Sequence, residues 1–246
     1  MARFFNLESL AVLVACLVMG VGGAFASGLD WPKAIGMGLV FTVVAFLIAA
    51  PMLLDKLIEV YAKGGKLDRA LDLAISARDS APSTGMKNVA QVDVALLHLL
   101  RRDFQHALDN LEGVRLKSSA SAGARAVVQG HTAYCLAHLN RDLPRADELA
   151  RSALKAMPDE PIFMYFVGLV LLVSEKAAEA EPLLEQSIQK DPDPTEPYQG
   201  ERYWALARAR VALGKDPEPA KSKAIEAGGH FAEQAKALGA PAQSAS

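Results

Sequence analysis

Two uncharged apolar stretches dominate the first part of the chain's hydrophobic and polar pattern. They run from Ser9 to Leu29 and from Ala34 to Leu54, with 21 residues in each. As helices, both would be about 30 Å long, which matches the hydrocarbon core of a bilayer. The few residues between them, 30–33, leave room only for a turn. The pattern therefore predicts a two-helix transmembrane hairpin with spans at about 9–29 and 34–54.

Two other interpretations of the first stretch stay open. Leu13-Val14-Ala15-Cys16 resembles a lipobox, and Ala24-Phe25-Ala26 resembles a signal-peptidase site. The apolar run, however, continues well past Cys16, and Glu8 weakens a positive n-region. A second span also follows closely after Ala26. We favour the uncleaved hairpin, with a cleaved signal or a lipidated Cys16 as alternatives.

The positive charges near the span ends predict the orientation. Lys56, Lys63, Lys66 and Arg69 follow the second span, whereas Lys33 is the one basic residue between the spans. Lys and Arg concentrate on the cytoplasmic side of membrane proteins. We therefore expect an integral membrane protein, in a bacterial inner membrane, with its C-terminal domain in the cytoplasm.

Beyond the spans, small residues recur in a fixed frame that ends in proline. The frame Ala70-x3-Ala74-x2-Ala77-x4-Pro82 returns twice, with the positions Ala146, Ala150, Ala153 and Pro158, and then Ala180, Leu184, Ser187 and Pro192. A small residue lets two helices approach closely, and proline ends the second of them. The frame predicts stacked helix pairs.

This frame resembles the tetratricopeptide repeat (TPR), a unit of about 34 residues made of two helices. The resemblance implies five units, at about 51–84, 88–121, 127–160, 161–194 and 201–234. Gly168 and Trp204 fall at positions where the family favours those residues. The second unit lacks the final proline, and Pro217 and Pro219 predict a late second helix in the fifth, near Ala220. The layout, a hairpin before repeats, is similar to that of HemY-like membrane proteins in architecture only.

The predicted domain organisation follows from this register. The fold class is all-α, with a hairpin over 1–54, a TPR-like α-solenoid of about five helix pairs over 51–240, and a flexible tail over 241–246. Residues 231–238 are expected to form a capping helix. Because the first unit begins at Pro51, inside the second apolar stretch, we expect the anchor and the first repeat to share one helix, kinked at that proline.

Composition excludes several classes of function. The chain has 26 Lys/Arg, 28 Asp/Glu and no basic block, which argues against nucleic-acid binding. Its two cysteines, Cys16 and Cys135, cannot form a disulfide framework. Phosphate-loop, nucleophile-elbow and zinc-protease motifs are absent from the sequence. We expect no enzyme activity and no cofactor.

The TPR resemblance also implies a binding site. In the family, the first helix of each unit lines a concave groove that holds peptide segments, and an apolar groove suits an amphipathic helix or an extended apolar segment. The corresponding positions here are Val89, Val92, Leu96, Leu99, His131, Cys135, His138, Tyr165, Leu169, Leu172 and Arg202. The chain's own C-terminal helix could also fill this groove, which stays an alternative.

His131, Cys135 and His138 are of metal-binding type and lie at i, i+4 and i+7 on one helix face. The two histidines would be about 10 Å apart, too far to share an ion at bond lengths of about 2 Å. We therefore predict no metal site here. His98, His106 and His230 are isolated in the sequence, and we expect them to be surface or interhelix residues.

These features predict a scaffold or recruitment protein that binds partner proteins at the membrane. The alternative is an accessory structural subunit of a larger membrane complex, with its spans packed against other subunits and its groove filled by its own helix.

Overall fold

The computed structural model describes residues 56–193 and 197–238, and all regular elements in these ranges are helices. The all-α expectation is confirmed for this part of the chain. The chain divides into two compact units, Met1–Ser83 and Thr84–Ser246. The predicted spans 9–29 and 34–54, the shared helix at Pro51 and the tail 241–246 lie outside the described residues and stay predictions.

The described part of the first unit is one helix pair. Residues 56–63 are helical, and helix α1 follows at Leu67–Ser80. Gly65 lies between them at a φ of 72°, a left-handed conformation that favours glycine. Ala70, Leu71 and Ala74 form the buried stripe of α1, which matches the first small-residue frame. In the described ranges, no helix combines the length and the apolar character that crossing a membrane requires.

In its described residues, the second compact unit contains four helix pairs and one further helix. The pairs are α2 and α3 (Thr84–Leu100 and Phe104–Glu112), α4 and α5 (Ala122–His138 and Leu143–Ala156), α6 and α7 (Pro161–Val173 and Ala177–Lys190), and α8 and α9 (Gln199–Ala212 and Glu218–Ala227). Helix α10, Gly229–Ala237, comes last. Each pair packs internally, and each second helix from α3 to α7 packs on the first helix of the next pair. This is the stacking of an α-solenoid.

The predicted frame fills the contact between the helices of each pair. Ala146, Ala150 and Ala153 are fully buried on α5, as are Ala180 and Leu184 on α7. Gly168 allows α6 to lie close to α7, because a Cβ there would lie 2.8 Å from the Leu184 side chain. Small residues thus set the spacing between the helices, as the sequence predicted.

Helix limits follow from capping and proline. The side chains of Asp103, Ser121 and Asp142 accept hydrogen bonds from the first turns of α3, α4 and α5. Pro219 occupies the first turn of α9, where its missing N–H costs nothing, so that helix begins at Glu218 rather than at Ala220.

The helices of the second predicted repeat, at about 88–121, do not follow the predicted bounds. Helix α2 begins at Thr84 rather than near residue 88, and α3 ends at Glu112. Asn88 donates to the Arg115 carbonyl at 2.7 Å and accepts from the Arg115 N–H at 3.1 Å. These two bonds hold the segment that follows α3 against α2, in the unit that lacks the terminal proline.

The core is centred on α6. Ten consecutive residues of this helix, from Phe163 to Leu172, are buried, and the surrounding cluster extends from α2 to α9. Gly130 of α4 allows this packing, because a Cβ there would lie 2.6 Å from the Phe163 ring. A helix buried all round is the centre of the stack rather than a surface layer.

Candidate functional site

Aromatic residues of α4 and α6 lie together with Tyr198, which comes just before α8. Tyr134 of α4 lies 4.9 Å from Phe166 of α6 and 5.6 Å from Tyr198, measured between ring centroids. Tyr165 is fully buried beside the same rings. Such edge-to-face and tilted contacts each contribute about 0.5–1.5 kcal/mol beyond area burial. The inner side of α4, α6 and α8 is therefore an aromatic core.

A buried carboxylate sits in this aromatic core. Glu201 is 3% exposed; Tyr134 Oη donates to its Oε2 at 2.7 Å, and His138 Nε2 lies 2.7 Å from its Oε1. We name Glu201, Tyr134 and His138 the Glu201 cluster. Burial, and then the negative charge of Glu201, raise the pKa of Tyr134 well above its ordinary value, so the hydroxyl stays a donor.

The His138 ring connects this cluster to the turn between α2 and α3. It stacks on Phe104 with the centroids 4.1 Å apart and the planes nearly parallel. The Arg102 guanidinium lies near two rings, 5.3 Å from the Phe104 ring centroid and 4.4 Å from that of Phe231. Phe231 belongs to α10, so the last helix reaches the end of α2.

A cavity of about 350 Å³ opens beside His138. Its lining is basic and aromatic, without any carboxylate, and we name it the arginine pocket: Arg102, His138, Trp204, Arg208, Gln234, Ala237 and Leu238. The Arg208 guanidinium lies 4.8 Å from the Trp204 ring centroid, and burial lowers its pKa. Among the described residues, no carboxylate lies within 4 Å of either guanidinium.

Gln234 adds a polar group to the same pocket. Its Oε1 is buried without a hydrogen-bond partner in the described part of the chain, and its Nε2 lies 2.8 Å from His230 Nε2. Buried polar groups are nearly always paired in folded proteins. Two unmatched guanidiniums and an unmatched amide make the arginine pocket the best candidate for an anionic group.

The eleven residues predicted for the groove fall into three groups. Seven are buried, namely Leu99, His131, Cys135, Tyr165, Leu169, Leu172 and Arg202. Val92, Leu96 and His138 are partly buried, and Val89 is 60% exposed. Most of these positions thus belong to the core in this conformation.

The metal-type residues of α4 have separate partners. The ring Nδ1 of His131 lies 2.7 Å from the Val127 carbonyl, and burial lowers the pKa of this ring. Burial raises the pKa of the Cys135 thiol to about 12, and His138 pairs with Glu201. At the other end of the groove, Arg202 pairs with Asp191 at 2.9 Å.

Trp204 lies at a predicted repeat position, but the sequence did not indicate that Arg102, Glu201, Arg208 and Gln234 are site residues. Arg102 lies in the turn after α2 at a left-handed φ of 59°, and the sequence does not indicate this because arginine has no preference for that conformation. Glu201 carries no sequence signal, since a glutamate in the first turn of a helix is ordinary.

No protein-family model matches this chain, and no curated protein matches it in sequence. Solved structures do match. TTC0263, a TPR protein of Thermus thermophilus, matches with a TM-score of 0.56 and 20% identity over 74% of this chain and 95% of that one. The Bacillus thuringiensis PlcR complex with the peptide PapR7 and DNA matches with a TM-score of 0.58 and 11% identity, over 85% and 82%.

A third similar structure is a putative kinesin light chain of Podospora anserina with nearly identical TPR-like repeats. Its TM-score is 0.51 and its identity 19%, over 76% of this chain and 92% of that one. At these identities the likeness concerns the fold alone. The described part of this chain therefore has a TPR-like fold.

Proposed function

We propose that this chain is a non-enzymatic interaction protein that binds a carboxylate-bearing segment of a partner protein in the arginine pocket. The observation that carries the proposal is the pair of guanidiniums, Arg102 and Arg208, which face one cavity and have no carboxylate within 4 Å in the described residues. Guanidinium groups bind carboxylates with paired, charge-assisted hydrogen bonds. Trp204 and Leu238 give the same pocket an apolar wall.

The proposal narrows the predicted groove. Seven of its eleven positions are buried, so a partner could reach the stretch from His131 to Arg202 only if helices separated. The arginine pocket needs no such movement, because it is already open. His138 is shared by the predicted groove and the pocket, and it marks where the two overlap. One similar structure, PlcR, was itself solved with a peptide.

The membrane forms part of this proposal. The spans at 9–29 and 34–54 would hold the repeat domain at the cytoplasmic face of a bacterial inner membrane, where it would recruit its partner. Two apolar stretches of 21 residues support this, as do the basic residues that follow the second. Alkaline extraction of membranes tests it: the intact chain should stay in the pellet, and a chain that begins at residue 56 should be released.

Binding can be tested with two synthetic peptides. Both are nine residues long, fluorescein-labelled and amidated; one alternates Leu with Glu and the other Leu with Gln. Fluorescence anisotropy with the detergent-solubilised chain should show tighter binding of the Glu peptide, with an affinity that falls as salt is raised. Replacing both arginines (Arg102→Met with Arg208→Met) should lower this affinity at least about tenfold, since each charged hydrogen bond contributes about 1.5–3 kcal/mol.

Arg151→Met is the matched control. Arg151 lies on α5, half-exposed, paired with Asp147 at 2.8 Å and outside the pocket lining. This variant should bind the Glu peptide as the unchanged chain does. Equal binding of the Gln peptide, or full binding by the double variant, would refute the proposal.

A second candidate function is an accessory structural subunit whose groove is filled by its own chain. The contact of Phe231 with Trp204, 5.1 Å between ring centroids, and with Arg102 favours it, because α10 then covers part of the inner side. Replacing residues 9–54 with an unrelated hairpin should then dissociate a larger complex in native electrophoresis. Survival of the complex would count against this role.

A further inference from the structure

Three side chains with metal-binding atoms meet at the turn between α2 and α3. His98 Nδ1 lies 3.3 Å from Asp103 Oδ2, and His106 Nδ1 lies 2.8 Å from the same oxygen. The three ligand atoms lie within 4.8 Å of one another. His98 and His106 are isolated in the sequence, but the fold brings them to the same carboxylate.

The local backbone explains this meeting. The chain leaves α2 through Arg102, which adopts a left-handed conformation, and the Asp103 N–H then donates to the His98 carbonyl at 2.9 Å. Asp103 also caps α3, since its side chain accepts from the His106 N–H at 3.3 Å. Residues 103 and 106 therefore lie on the same side of the first turn of α3, facing the last turn of α2.

The two imidazole rings differ in their surroundings. His98 has a side chain only 11% exposed, and its Nδ1 makes no well-directed hydrogen bond within the described chain. His106 is 66% exposed and stacks on His98 with the centroids 5.3 Å apart. The Asp103 carboxylate therefore lies between a buried imidazole nitrogen, that of His98, and a solvent-exposed imidazole, that of His106.

We propose that His98, Asp103 and His106 form a zinc site that joins the two helices of the α2–α3 pair. In a tetrahedral site with bonds of about 2.0–2.1 Å, neighbouring ligand atoms lie about 3.3 Å apart. The observed separations of 2.8 and 3.3 Å are near this value. Two imidazoles and a carboxylate suit zinc, whereas Mg²⁺ and Ca²⁺ prefer sites made of oxygen alone.

The fourth position of this site faces solvent. His106 is exposed, and three protein ligands leave a place for water, as in zinc sites that are not closed by a fourth side chain. The proposal is independent of the arginine pocket: Arg102 contributes to that pocket, but it is not among the three ligands. Zinc would tie the end of α2 to the start of α3.

The test is zinc binding by the full chain, purified in detergent without a polyhistidine tag. Competition with a chromophoric chelator should show one equivalent of bound Zn²⁺, and Mg²⁺ should not compete. The Co²⁺ form should lack a sulfur-to-metal absorption band, because Cys135 is buried elsewhere in the core. Zinc should also raise the temperature of unfolding, because it binds only the folded state.

Three variants decide the ligand set. His106→Ala changes an exposed side chain, and Asp103→Asn keeps a residue that caps helices well. Each should weaken zinc binding at least about tenfold, since even outer-shell changes cost 10- to 100-fold. His230→Ala, an exposed histidine of α10, should leave binding unchanged. Binding of less than a tenth of an equivalent, or unchanged binding by His106→Ala and Asp103→Asn, would overturn the proposal and leave only an Asp–His ion pair.

Discussion

The Glu201 cluster and the arginine pocket share His138, but they differ in whether their charged groups have polar partners. In the Glu201 cluster, a carboxylate that is 3% exposed has a tyrosine hydroxyl and an imidazole, each at 2.7 Å. In the arginine pocket, two guanidiniums face a cavity of about 350 Å³ with aromatic rings as their nearest partners. A buried charge with partners serves the fold, whereas a charge without them is available to a ligand.

Removing the carboxylate should have the largest effect on stability. Glu201→Ala leaves the buried Tyr134 hydroxyl without its acceptor and removes the carboxylate nearest to the His138 ring. Losing a hydrogen bond to a charged group costs about 1.5–3 kcal/mol, and the space left by the removed side chain adds to this loss. The midpoint of thermal unfolding, followed by the helical circular dichroism signal of the detergent-solubilised chain, measures the loss.

Glu185→Ala provides the comparison for this prediction. Glu185 pairs with Arg210 at 2.9 Å, but its side chain is 38% exposed. Its removal should cost only about 0–1 kcal/mol, the range for surface ion pairs. Equal losses in the two variants would show that Glu201 contributes no more than a surface charge does.

The two clusters also show where inference from the sequence stops. The small-residue frame predicted the helix pairs, because contacts within a pair repeat at fixed spacing, and Ala146, Ala150 and Ala153 are buried accordingly. The contact of Tyr134 with Glu201 joins residues 67 positions apart. Such contacts depend on the small rotation between successive pairs, which a repeat pattern does not encode.

The same reason explains the buried groove positions. Helical periodicity places Tyr165 and Leu169 on the inner side of α6, but it cannot show that later parts of the chain cover that side. Tyr198, just before α8, lies 6.2 Å from Tyr165 between ring centroids. The predicted groove residues all lie on the first helices of their pairs, and their part in binding a partner stays a prediction.

The pH dependence of stability tests a buried ionisable group that has no charged partner among the described residues, His131. His131 is buried and its pKa is lowered, by burial first and against the opposing effect of its bond to the Val127 carbonyl. The unfolded state binds a proton near pH 6.5, and the folded state binds it only at lower pH. Stability is therefore complete above about pH 6.5 and falls below it, by at most about 1.4 kcal/mol per pH unit for one proton.

The variant His131→Gln isolates this contribution. It removes the titrating ring and leaves His98 and His230, whose pKa values are also lowered, in both proteins. Unfolding temperatures measured between pH 7.5 and 5 should fall less steeply for the variant. Parallel curves for the two proteins would show that the buried ring does not set the acid sensitivity.

The smallest change in stability is expected for a variant of the arginine pocket. Arg208→Met removes a guanidinium that is partly buried beside Trp204 and has no carboxylate within 4 Å among the described residues. The flexible methionine side chain can cover the same ring, and no partner is left unpaired. Stability should stay the same or rise by up to about 1 kcal/mol, while the affinity for the Leu–Glu peptide falls. The fold tolerates the removal of a residue that is retained for binding. A loss of more than about 1 kcal/mol would therefore show that Arg208, like Glu201, stabilises the fold.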